Sequence, residues 1–129
     1  MILDSDCIIY FLKGNPVVVS EVMKIPAHRL YTTRINSAEL LYGAYNSSKP
    51  RQNLEIIKPF LERFTVLELT AEASEAFAMI KADLKRSGTI IADMDLMIAA
   101  IALVHKLPLV TNNLRHFGRI KGLEVRSWL

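Results

Sequence analysis

Four of the five aspartates in this chain fall into two tight pairs, Asp4 with Asp6 and Asp93 with Asp95. Each pair sits where a helix is expected to begin, and Asp4 directly follows the short apolar segment Ile2-Leu3. A further acid, Glu39, stands near the start of a third expected helix, just after Leu30 to Thr33. Taken singly, such acids complement a helix macrodipole by roughly 0.3 to 1 kcal/mol, and Asn36-Ser37-Ala38-Glu39 fits a capping box in which Glu39 reaches back to the cap. Capping does not explain a meeting of all three at one edge. Two carboxylates about 5 Å apart repel by about 3 kcal/mol at an effective dielectric of about 20, so a cluster of three calls for a cation. With oxygen ligands and no adjacent Cys or His, that cation is a hard one, Mg2+ with Mn2+ as substitute.

Such a cluster needs a scaffold that brings positions 4, 39 and 95 together. Short apolar segments alternate with helical ones, the pattern of an α/β domain on a mostly parallel sheet. Strands are expected at Ile2-Leu3, Leu30 to Thr33, Thr65 to Leu67, Leu109 to Thr111 and Glu124 to Arg126. The clearest helix spans Ala71 to Ser87, with Ala73, Phe77, Ile80 and Leu84 at helical spacing, Thr70 as cap and Gly88 after a basic last turn. Others are expected over Asp6 to Lys13, Asn36 to Asn46 and Asp93 to His105, the last apolar nearly all round and so buried. Arg51 to Phe64 carries an apolar stripe interrupted by Pro59, which predicts a kink or two short pieces. In an open parallel sheet, ligands bind beyond the carboxyl ends of the strands, which places Asp4 well.

Composition bounds the answer. The chain has 129 residues, 51% of them hydrophobic, enough for one domain over residues 1–129 and little disorder. Cys7 alone makes neither a disulfide nor a cysteine-built metal site, which fits a reducing, cytoplasmic setting. The N-terminus lacks the features of a signal peptide. The longest apolar run, Leu96 to Val104, is about half of a bilayer span, so no membrane anchor is expected. A formal charge of +3 permits contact with phosphates without amounting to a nucleic-acid coat. The mean hydropathy of +0.24 suggests apolar surface reserved for a partner.

Four ordered motifs carry a resemblance. Leu3-Asp4-Ser5-Asp6 with its apolar helix, Ser37-Ala38-Glu39-Leu40-Leu41-Tyr42-Gly43, Asp95-Leu96-Met97-Ile98-Ala99-Ala100, and Thr111-Asn112-Asn113 with His116-Phe117 together resemble PIN-domain ribonucleases of the VapC toxin type. The resemblance implies a three-layer α/β/α fold and an acidic triad of Asp4, Glu39 and Asp95 that is both catalytic and metal-holding. Asn113 stands where many relatives carry a fourth Asp, which weakens any second metal site. Asp93, two residues from Asp95 and so not on its face, is assigned to N-capping. Asp6 is read as a cap or support, and Ser5 and Thr111 as residues that orient carboxylates or form plain turns. The implied activity is Mg2+-dependent endoribonuclease cleavage by activated water, leaving 5′-phosphate and 3′-OH ends. The implied partners are an RNA substrate, a cognate antitoxin and a second copy of the chain.

Other readings compete. Leu3-Asp4-Ser5-Asp6 also matches the nucleophile motif of haloacid-dehalogenase-like phosphatases, which would make Asp4 covalent but leaves Glu39 unused. A receiver domain requires a mid-chain aspartate, and none lies between Asp6 and Asp83. A metal-incompetent binding module and an RNA-processing nuclease without a toxin role share the fold. His28, His105 and His116 show no pairing that suggests a histidine acid–base couple. Arg115 and His116 contact phosphate or form a solvated turn; Lys81, Lys85, Arg86, Arg119 and Lys121 line an RNA path or are simply solvated. Tyr42 and Tyr45 are read as packing, and Cys7 as a buried filler.

Overall fold

The computed structural model describes all 129 residues. Five short strands, β1 (Ile2–Leu3), β2 (Tyr31–Thr33), β3 (Thr65–Leu67), β4 (Leu109–Val110) and β5 (Val125–Arg126), form one sheet in the order β3-β2-β1-β4-β5. Every pairing is parallel, with Ile2 opposite both Tyr31 and Leu109 and Leu3 opposite Val110. Seven helices connect them: α1 (Ser5–Leu12), α2 (Pro16–Met23), α3 (Arg34–Tyr45), α4 (Pro50–Leu61), α5 (Ala71–Arg86), α6 (Asp93–His105) and α7 (Leu114–Phe117).

The alternation of side chains along β1 and β4 divides the core between the two faces of the sheet. Leu3 and Val110 point to one face, where Cys7, Ile8, Val18, Val22, Leu40 and Leu61 of α1 to α4 cover them. Ile2 and Leu109 point to the other, beneath Leu96, Ile98, Ala99 and Ala102 of α6, with Phe117 of α7 and Phe77, Ile80 and Leu84 of α5. The expected α/β/α layering is therefore present, with a sheet that is wholly parallel. Such strands, buried on both faces, read as short unbroken apolar runs.

Several helices depart from expectation. Pro16 at the first position and the Asn15 side chain, which accepts from the Val17 and Val18 N–H groups, start α2 despite its run of three valines. Pro59 does not divide α4, which runs unbroken over Pro50–Leu61; it stands two residues from the helix end, so its missing N–H removes one bond there without splitting the element. Thr70 caps α5 as expected, accepting from Ala73 N–H at 3.1 Å, and Gly88 follows with φ +74°. Tyr42 and Tyr45, expected to pack, are 68% and 62% exposed. No helix is long and apolar enough to cross a membrane.

Candidate active site

Because all strands run one way, the ends of β1, β2 and β4 share an edge, and the reversal of strand order between β1 and β4 opens a crevice there. Asp4 follows β1 and Thr111 follows β4. Thr111 Oγ1 donates to Asp4 Oδ2 at 2.7 Å across that crevice. Asp4 Oδ1 accepts from the Ser5 backbone N–H at 2.9 Å and from Asn36 Nδ2 at 2.8 Å. Asp4 thus caps α1, yet its carboxylate is gripped by neutral donors from three elements.

Asn36 organises the next layer. Its backbone N–H donates to Thr33 Oγ1 at 3.1 Å, and Thr33 Oγ1 donates to Asn36 Oδ1 at 2.7 Å. That reciprocal pair fixes the amide so that Nδ2 faces Asp4 and also Ser5 Oγ at 2.9 Å. Ser5 Oγ donates in turn to Glu39 Oε1 at 3.0 Å. The capping box expected at Asn36 to Glu39 is therefore corrected: the cap is Thr33, three residues earlier, because its hydroxyl ends β2 and meets Asn36 reciprocally. Glu39 lies in the second turn and reaches α1 rather than its own helix start.

Asp95, in the first turn of α6, faces the same cleft from the other side. Its Oδ2 lies 2.8 Å from His116 Nδ1 and 3.4 Å from Asn113 Nδ2, and those two nitrogens are 3.1 Å apart. The Asn113 backbone N–H donates to Thr111 Oγ1 at 3.0 Å, tying this group to the one around Asp4. Asp6 is a brace: Oδ1 accepts from Cys7 N–H at 2.7 Å and Oδ2 from Asn112 N–H at 3.0 Å, joining α1 to the loop after β4. The pairing of His116 with Asp95 has no sequence signal, because the two are far apart in the chain and α7 has too few residues to show a period. Asn36 reads in sequence only as a helix cap.

Asp93 is a second correction. Ala92, not Asp93, occupies the cap position of α6, with no side-chain cap bond; Asp93 is the first helical residue and pairs with Lys81 at 2.8 Å on the surface. Cys7 is buried, and burial pushes its thiol up, which leaves it an inert filler as expected.

The charges set the site's character. Burial, with the nearby charge of Asp6, pushes Asp4 up to about 6 despite its hydrogen bonds. Glu39 is raised too, first by burial and then by the charges of Asp4, Asp95 and Asp6, while the Ser5 bond lowers it. The acids therefore feel one another across the cleft. No Lys or Arg forms a salt bridge with Asp4, Asp6, Glu39 or Asp95, whereas Glu21, Glu55, Glu68, Asp83, Asp93 and Glu124 all have one. The three acids share the cleft without closing on a single point: no three His, Cys, Asp or Glu side chains are gathered to grip one ion. What fits a hard divalent cation is the donor type and the uncompensated charge.

Fold and site together define a class, parallel α/β proteins with an acidic, oxygen-lined cleft at the switch point of the sheet. The chain belongs to the PIN domain family, whose profile matches residues 1–123, and within it to the VapC type. It is 36% identical to Ribonuclease VapC2 of Haemophilus influenzae, over 98% of this chain and 96% of that one. It is also 36% identical to the tRNA(fMet)-specific endonuclease VapC of Salmonella typhimurium, with the same coverage of 98% and 96%. The DNA-bound VapBC structure from Salmonella typhimurium aligns with a TM-score of 0.91 at 35% identity, over 99% of this chain and 97% of that one. VapBC2 of Rickettsia felis, bound to a promoter DNA fragment, gives 0.89 at 28% identity, over 99% and 98%.

Proposed function

We propose that this chain is a Mg2+-dependent endoribonuclease acting as the toxin of a toxin–antitoxin pair, its single PIN domain spanning residues 1–129. Its membership among VapC ribonucleases supports hydrolysis of RNA. The observation that carries the site assignment is the bridge from Asp4 through Asn36 and Ser5 to Glu39, in a cleft that Asp95 enters from the opposite side. The phosphatase alternative leaves Glu39 without a role, whereas here Glu39 is coupled to Asp4.

In this reading Asp4, Asp95 and Glu39 hold the cation, and Mn2+ substitutes for Mg2+. A bound divalent ion supplies neutralisation of the scissile phosphate and acidification of water. The chain's own residues do the rest. Thr111 and Asn36 keep the Asp4 carboxylate aimed along the crevice. Ser5 holds Glu39 Oε1 and leaves Oε2 to face the cation or the attacking water. That placement suits a carboxyl whose affinity for protons is raised. Asn113 and His116 orient Asp95. Water attacks phosphorus, its proton passing to Glu39, and the bond to the 3′-oxygen breaks, that oxygen taking a proton from solvent, which gives 5′-phosphate and 3′-OH ends.

The relatives' names and the VapBC complexes support an RNA substrate and a cognate antitoxin as partner; the positive mean hydropathy and the single cysteine of the sequence favour a homodimer working in the cytoplasm. A tRNA is the first substrate to try, since one relative is named for tRNA(fMet). Expression in a bacterial host tests the reading: growth arrest that Asp95→Asn relieves, with tRNA fragments ending in 3′-OH, is expected. Arrest unaffected by Asp95→Asn, or fragments bearing 2′,3′-cyclic phosphate, would overturn it.

A further inference from the structure

Lys81, Lys85 and Arg86 close α5, while Arg119 and Lys121 follow α7, and the fold brings both segments to one surface. Arg119 and Lys121 line a groove of about 340 Å³ together with Leu84 and Ser87, and Leu84 also borders the neighbouring groove of about 360 Å³ lined by Lys81 and Lys85. All five cations are exposed. Only two acids belong to the patch: Asp93, which engages Lys81 at 2.8 Å, and Asp83, which engages Arg86 at 2.6 Å. Lys85, Arg119 and Lys121 have no acidic partner, so the patch carries a local formal charge of +3.

The patch adjoins the acidic cleft along two elements. Leu96, next to Asp95 on α6, lines the groove of Lys81 and Lys85. Arg119 follows by three residues His116, which touches Asp95. Both elements thus lead from the cleft to the cations.

We propose that Lys85, Arg119 and Lys121 form the track for the RNA backbone beside the cleft, binding phosphates outside the scissile bond and setting affinity rather than chemistry. This rests on the nuclease reading and names the surface that reading lacks. Exposed cations without acidic partners suit phosphates, which are contacted singly and without sequence preference. Lys81 and Arg86 border the track with their charge already engaged.

The test measures binding of a fluorescently labelled tRNA in EDTA by anisotropy, over a range of salt, for three proteins. These are the wild type, the triple variant Lys85→Gln/Arg119→Gln/Lys121→Gln, and a control with the same charge change on the opposite face of the sheet, Lys13→Gln/Lys49→Gln/Lys58→Gln. Each lost phosphate contact lowers the log–log salt slope by about 0.7 to 0.9, so the patch variant should lose about 2 from the slope and bind roughly tenfold to hundredfold more weakly near 0.1 M salt. Its cleavage with Mg2+ should show a raised KM with kcat within about twofold. The control should show a smaller loss in both, and matched thermal melts exclude misfolding. Equal losses in both triple variants would reduce the effect to net charge and overturn the track. Unchanged binding in the patch variant would overturn it as well and leave the surface to an acidic protein partner, with the nuclease reading intact. Wild-type protein that does not bind RNA at all would remove the nuclease reading and the track together.

Discussion

Asp4→Asn makes the cost of the cleft measurable. Without metal, the Asp4 carboxyl ionises at about 6 in the folded chain against 3.8 for an ordinary aspartate, because it is buried beside Asp6. A carboxyl raised on folding favours the fold when protonated; that contribution is complete below pH 3.8 and disappears as pH climbs through about 6. The difference of about 2 pH units corresponds to about 3 kcal/mol of destabilisation at neutral pH as an upper figure. Asparagine cannot ionise, so the substitution removes that cost. It also weakens the Thr111, Asn36 and Ser5 hydrogen bonds and the helix cap, a loss of about 1 kcal/mol. In EDTA at pH 7.5 the variant should therefore be about 1 to 2 kcal/mol more stable than the wild type, while at pH 4 it should be equal or about 1 kcal/mol less stable. Urea unfolding at both pH values, read from the midpoint with the slope unchanged, checks this. A variant less stable by the same amount at both pH values would refute the reasoning and make Asp4 an ordinary helix cap.

Other outcomes follow from named contacts. Asn36→Ala leaves Asp4 Oδ1 and Ser5 Oγ without a fixed donor; it should cost about 1 to 3 kcal/mol in urea unfolding and lower cleavage, whereas Asn36→Asp should be worse because it adds a further buried charge. Asp95→Asn should reduce single-turnover cleavage by about a hundredfold or more, and Asp93→Asn, which breaks only an exposed pair worth about 0.2 to 1 kcal/mol, should leave the rate within about threefold. Equal losses in those two variants would return Asp93 to the site. Mg2+ should raise the melting temperature of the wild type more at pH 7.5 than at pH 5, since Asp4 must lose its proton to bind; a shift independent of pH would argue against Asp4 as a ligand.

Much of this was legible because the informative features are local. α6 announces itself as an apolar run and α5 by its period, its Thr70 cap and Gly88, whereas β1 is too short to be identified by itself. The acids were visible because their types are scarce and each stands at an element boundary. The partners were harder to see. Asn36 reads as a capping residue, and only the approach of α3 to α1 turns its amide toward Asp4. His116 sits on a four-residue helix with no periodic signal, and its pairing with Asp95 exists only because α7 and α6 fold against one another. The helix α2 has little sequence signal because three consecutive valines argue for a strand, while packing of Val18 and Val22 and a Pro16 start override that propensity.

The central claim is that Asp4, Glu39 and Asp95 form one cation site. Calorimetric titration of Mg2+ into the metal-free protein at pH 7.5 tests it most directly, with Asp4→Asn, Glu39→Gln and Asp95→Asn measured alongside. Saturable binding to the wild type that weakens by an order of magnitude or more in each variant is the predicted result. No saturable binding to the folded wild type, or binding that survives all three substitutions, would contradict it.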